Sequence, residues 1–241
     1  MQLRHPFTLL PTLYSFTILI LALAGLSACG GHKPPYPPAT AVREAPQERL
    51  EFVNAFLQGR WCEAARQFEA GQDSYIRSDN VCQVARNYVL AWKLKSYAQI
   101  DEPELLTKAR KYRELGFGCQ NNAPIPEPGG SGTGERDSRF GKLIAVGDFA
   151  GVHEALKSEE DPLYASVYGR KAAAAALAAG HKDLAAQLVE QAREVDSRHG
   201  WVVLLREDWR FASKLAENAD KQALIAERIK LLEKQIQPCT P

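Results

Sequence analysis

The sequence predicts an all-α protein built of stacked antiparallel helical hairpins. From residue 47 onward, apolar residues return every three or four positions through segments of helical length, the pattern of one buried helix face. Short turns carrying Gly, Asp or Asn separate these segments, which makes consecutive helices antiparallel neighbours. The apolar residues are mostly Ala and Leu, good helix formers, while Val, Ile and Thr are too sparse for a sandwich or barrel. A chain of 241 residues can bury a real core, and 30 Lys+Arg against 29 Asp+Glu leave no basic surplus for nucleic acid.

The chain opens on an unlike part. Residues 1–28 hold one charge, Arg4, and the run Phe16 to Ala28 has none. A basic start, an apolar stretch and small residues before a cut make the plan of a secretory signal. A membrane-spanning helix would need about 20 apolar residues; Pro11 interrupts the longer run, and a Pro-rich segment follows. Residues 29–46 read as that Pro-rich tether, headed by Cys29. In polyproline II geometry, at about 3.1 Å per residue, it would hold the body about 40–50 Å from its point of attachment. Without residues 1–28 the charge is balanced, so attachment to a membrane would come from lipid rather than from headgroup electrostatics.

Residues 47–116 form an N-terminal helical half. A first helix starts near Pro46, where a first-turn proline is tolerated, carries Leu50, Val53, Phe56 and Leu57 on one face, and stops at Gly59. A second runs from Trp61 through Ala64 and Phe68 and weakens near Gly71. Asp79 or Asn80 caps a third, with Val84, Tyr88, Ala91, Trp92 and Leu94 inward. Pro103 opens a fourth that Gly116 closes. Residues 117–136 are a Gly/Pro-rich linker from which no core could be built. The C-terminal half, 137–241, resumes with short helices at 137–146 and 148–158. A long Ala-rich helix follows from Asp161-Pro162 to Gly180, then helices over 181–196, Trp201–Leu215 and 220–235. In the last, Ile225, Ile229, Leu232 and Ile236 form a seam to be buried, with Arg228 and Glu233 outside.

Four cysteines besides Cys29 suit two disulfides in an oxidising compartment, with three possible connectivities. Stacking places Cys82, at the start of the third helix, near Cys119, at the end of the fourth. Cys62 lies about 22 Å from Cys82 along a helix of about fifteen residues. The preferred pairing is therefore Cys82–Cys119, leaving Cys62–Cys239 to pin the C-terminal tail onto the N-terminal half.

Motifs for chemistry are missing. Gly130-Ser131-Gly132 has Thr133 where a nucleophile elbow needs glycine. His153-Glu154 lacks the second His of a zinc protease, and no cysteine pair has metal-ligand spacing. His181 and His199 fall at expected helix starts. No catalytic residue, metal or cofactor is expected. Trp201, Trp209 and Phe211 in one helix, with Tyr164 and Tyr168 nearby in sequence, could present an aromatic surface rimmed by Arg206 and Arg210; aromatics and Arg are favoured interface anchors. These residues are the candidates for partner binding if that surface is exposed; aromatic residues at helical spacing more often belong to the core.

Two resemblances sharpen the reading. Leu26-Ser27-Ala28-Cys29, followed by Gly30, resembles the lipobox of bacterial lipoproteins. It implies that Cys29 is acylated and becomes the first mature residue. Because Gly30 is not the Asp that retains many such proteins in the inner membrane, it also implies anchoring in the outer membrane of a Gram-negative cell, facing the periplasm. Gly180, Ala185, Val189, Ala192 and Asp196 are similar to the second helix of a tetratricopeptide repeat, in which small residues let helices approach closely. Gly59, Ala64 and Phe68 repeat the spacing, and Gly147, Val152 and Leu156 echo it. Together these imply a lipid-anchored scaffold that binds another envelope protein, assisting a secretion machine, pilus or barrel assembly. A periplasmic immunity lipoprotein that neutralises a toxin is the alternative, and a cell-envelope enzyme a more distant one.

Overall fold

Helix-forming segments separated by turns that a left-handed residue can close give ten α-helices and no strand among the described residues of the computed structural model. The structure describes residues 40–119, 125–126 and 135–239. The helices are α1 (Thr40–Leu57), α2 (Trp61–Arg77), α3 (Val81–Tyr97), α4 (Glu104–Leu115), α5 (Glu135–Ala145), α6 (Phe149–Lys157), α7 (Pro162–Ala178), α8 (Lys182–His199), α9 (Val202–Leu215) and α10 (Ala219–Glu233). Each packs first against its neighbour in sequence, with α1/α2, α3/α4, α7/α8 and α9/α10 the most extensive pairs. This is the stacked-hairpin architecture that the periodicity predicts.

The turns explain the pairing. Gly59 adopts φ 77°, which a side chain would resist, and a Cβ there would also stand 3.0 Å from Val202 and 3.1 Å from the Ile236 backbone. Asn80 caps α3 by accepting from the Gln83 amide, and Asp161 caps α7 by accepting from the Leu163 and Tyr164 amides. Gly59, Gly147 and Gly180 precede α2, α6 and α8. In each helix the fifth residue after the glycine is buried (Ala64, Val152, Ala185), and the ninth packs on the core (Phe68, Leu156, Val189).

Three helices depart from the sequence reading. Helix α1 begins at Thr40 rather than near Pro46, so it takes in the end of the segment read as tether. Pro46 costs it a backbone hydrogen bond, but Ala45 is fully buried in a cluster with Tyr75 and Val84, and that packing holds the extra turns. Helix α2 runs unbroken through Gly71, which is buried where α2 meets α3; a Cβ there would lie 3.3 Å from Asn87 Nδ2. His199 ends α8 instead of starting a helix and stacks on Trp201 at 4.6 Å.

Burial is organised in two main clusters. One gathers Phe52, Phe56, Leu57, Ala64, Leu94, Trp201, Leu204 and Ile236; the other gathers Phe140, Phe149, Val152, Val167, Tyr168, Leu188 and Phe211. Tyr97 and Leu163 pack against both. The first cluster draws on both sides of the linker, because α9 packs on α1 and the tail returns to the α1–α2 turn, where the Gln237 amide donates to the Gly59 carbonyl at 2.8 Å. Residues 39–241 accordingly group as one compact unit.

Both disulfides have the preferred connectivity. Cys82 and Cys119 lie with Cα atoms 5.6 Å apart, and Cys62 and Cys239 with Cα atoms 4.6 Å apart. Gly116 makes room for the former, since a Cβ there would fall 2.6 Å from Cys119 Sγ. No helix among the described residues is long and apolar enough to cross a membrane. The signal, the lipobox with Cys29, and most of the linker lie outside the described residues.

Candidate binding cleft

The helices that open four of the hairpins, α1, α3, α5 and α7, line a common cleft of about 520 Å³. Helix α3 contributes most of it. Arg86, Leu90, Lys93 and Tyr97 follow at intervals of four, three and four residues, so they share one face. Arg49 enters from α1, Asp137 from α5, and Tyr164 and Tyr168 from α7. A second, shallower concavity of about 690 Å³ adjoins it, sharing Arg49, Arg86 and Leu90 and adding Leu50, Val53 and Gln83.

Charge is distributed unevenly along this path. Lys93 Nζ pairs with Asp137 Oδ2 at 3.0 Å, and Tyr168 donates its hydroxyl to the other oxygen of the same carboxylate. Asp137 is 1% exposed, so both contacts offset the loss of its hydration. Tyr168 stacks between Phe140 and Tyr164, with ring centroids 5.0 and 5.8 Å away, and Lys171 Nζ lies 4.7 Å from its ring. Burial first, and then the Asp137 carboxylate, hold the Tyr97 and Tyr168 hydroxyls well above the ordinary phenol value. They remain protonated donors at neutral pH. Burial pushes the Lys171 ammonium below its ordinary value, with Asp137 opposing that shift. Arg49 and Arg86 differ from Lys93: neither guanidinium has an ion-pair partner among the described residues. The arrangement offers two forked donors beside exposed Leu50 and half-buried Leu90, which suits recognition of carboxylates on a chain that also brings apolar side chains.

The residues expected to bind a partner do not converge. Trp201 and Tyr168, at 6% and 2% exposure, are core residues in different clusters, a correction to the idea that they form a surface. Trp201 stands at the N-cap of α9, just outside the helix, and is buried in the cluster that includes Phe52, Phe56 and Leu57. Trp209 is half-buried, with Arg193 and Arg228 over its ring at 5.2 and 4.5 Å. Arg206 pairs with its neighbour Glu207 within α9, and Arg210 bridges Glu207 to Glu233 on α10, so both cations are engaged by carboxylates instead of rimming an open site. Of the six candidates, Tyr164 reaches the cleft as a partly exposed side chain beside Tyr168.

A second buried polar group was also missed. Arg170 Nη1 contacts Asp196 Oδ2 at 2.6 Å and Asp208 Oδ1 at 2.9 Å, tying α7 to α8 and α9, and both carboxylates are wholly buried. Burial raises Asp208 well above the usual carboxylate range, Arg170 opposes this, and the Asp196 charge adds to it. Its signal in the sequence was the Arg170-Lys171 pair, the only charges in an otherwise uncharged, Ala-rich helix. Among the described residues no cluster of His, Cys, Asp or Glu is placed to hold a metal ion.

No protein-family model matches the chain, and no curated protein or solved structure is significantly similar to it.

Proposed function

We propose that the protein is a lipid-anchored scaffold of the bacterial cell envelope, attached through Cys29 to the periplasmic face of the outer membrane, whose tetratricopeptide-like body docks another envelope protein. The lipobox supports the anchor. The observation that carries the docking reading is the Arg49–Arg86 pair, two guanidinium groups without carboxylate partners on adjacent helices at the junction of two concavities. Guanidinium groups left unmatched in a concave, part-apolar setting are suited to bidentate pairing with acidic side chains of a partner. The partner segment is an acidic stretch with apolar residues that settle on Leu50, Val53 and Leu90.

Cross-linking and pull-down from membranes test this with three forms: the native chain, Cys29→Ala, and Arg49→Glu combined with Arg86→Glu. The native form retrieves a partner with an acidic segment, and the double charge reversal loses it while remaining membrane-bound. Cys29→Ala leaves the membrane fraction and no longer incorporates a clickable palmitate analogue. A double reversal that retrieves the same partner in the same yield sinks the cleft, and palmitate incorporation into Cys29→Ala sinks the anchor.

A further inference from the structure

We propose that the gap between α2 and the α3–α4 corner is a binding site for a small amphiphilic amine, an alkyl or aryl body carrying one ammonium group. The site is separate from the cleft and does not depend on it. On α2, Trp61, Ala65 and Phe68 fall at intervals of four and three residues, two large rings with a small residue between them, and the alternation leaves a hollow. The α3–α4 corner supplies Ile100 and Leu105, and the C-terminal tail supplies Pro238 beside the Cys62–Cys239 disulfide. The pocket holds about 470 Å³, in the range of small-molecule sites.

Three charged residues line it, and their bookkeeping sets the ligand's sign. Lys95 Nζ is engaged by Glu102 Oε1 at 2.6 Å. Glu69 has no ion-pair partner among the described residues. The unmatched charge at the pocket is therefore a carboxylate beside half-buried aromatic rings. A cation over an aromatic face is attracted by the ring's negative face, and one that also meets a carboxylate gains again. An anionic amphiphile gains neither. The chain's own linker is a poor occupant: it leaves from Cys119 beside Cys82, about 20 Å along α3 from Lys95, and is rich in Gly and polar residues.

The test titrates the full chain with three probes of one body, 4-phenylbutylamine, 4-phenylbutanol and 4-phenylbutyrate, read by calorimetry and by tryptophan fluorescence. The amine binds about tenfold tighter than the alcohol, and the carboxylate binds weakest. Ala65 is exposed, so Ala65→Trp fills the hollow without crowding the core and abolishes binding of all three probes. Glu69→Gln, also at an exposed position, keeps the alcohol and brings the amine down to it. No saturable binding of any probe overturns the pocket, as does unchanged binding by Ala65→Trp. Equal affinity for amine and alcohol in the native chain, or an amine preference that survives Glu69→Gln, overturns the assignment of charge.

Discussion

Lys93 on α3 and Asp137 on α5 meet at 3.0 Å, joining the helices on either side of the Gly/Pro-rich linker through a carboxylate that water barely reaches. Asp137 lies just past the linker, so the contact also fixes where the chain re-enters the fold. Lys93→Met removes the ammonium that pairs with this carboxylate and leaves Lys171 to oppose its charge. It should lower stability by about 3 kcal/mol, measured as a shift in urea midpoint at constant m-value. Lys93→Met combined with Asp137→Leu should recover part of that loss, since the buried carboxylate is removed along with its paired ammonium. A double variant no more stable than Lys93→Met alone would show that the pair does not act as one.

The Arg170 triad places two buried carboxylates on one guanidinium, and burial first, then the Asp196 charge, favour the protonated form of Asp208. Its folded pKa is raised above the unfolded value near 3.8. The native state therefore binds this proton more tightly, and the associated stability is complete below that value and is lost as pH rises through the folded one. Asp208→Asn removes the titration. Compared with the native chain, the variant should show a flatter decline in stability as pH rises above about 4, measured by urea unfolding. Parallel profiles for the two proteins would refute the shared-proton account.

Cys62 and Cys239 close a loop of 177 residues in sequence separation. Long loops lose the most unfolded-state entropy when cross-linked, so Cys62→Ser with Cys239→Ser should cost about 3 kcal/mol or more. Thermal unfolding measures this, and a non-reduced peptide map of the native chain should yield Cys62–Cys239 and Cys82–Cys119 peptides. A Cys62–Cys82 peptide would contradict the stacking.

Gly169 sits where α7 meets α8. A Cβ there would stand 3.2 Å from both the Ala192 Cβ and the Leu188 carbonyl. Gly169→Leu should force the helices apart and cost about 1–3 kcal/mol. A melting temperature equal to that of the native chain would mean that this approach does not constrain α7 and α8.

Much of the architecture was legible because it rests on local chemistry. The glycine before α2, α6 and α8, with core residues five and nine positions later, repeats in sequence and again in space. Helical stacking likewise favoured Cys82–Cys119, and the unbroken α2 keeps Cys62 and Cys82 at opposite ends. The binding surface was not legible. Helical periodicity says that a residue has a buried or an exposed side, but it does not say which neighbour covers that side. Trp201 and Tyr168 could be read in sequence either as an interface or as core, and the fold makes them core residues. Arg49, Arg86 and Asp137 carry no local motif; helices far apart in the chain bring them to one cleft.

The early start of α1 makes the same point from the other side. Pro46 reads locally as a helix beginning, and the burial of Ala45 against Tyr75 and Val84 overrides it. The sequence by itself determined an all-α chain of hairpins, their turns, most helix ends and the apolar faces, because capping, glycine conformation and periodicity act within a few residues. Only the tertiary structure decided that α9 and the tail complete the N-terminal core, that Lys93 finds Asp137, and which cations remain without a carboxylate. Those outcomes depend on which faces meet, and side chains distant in sequence compete for the same buried space.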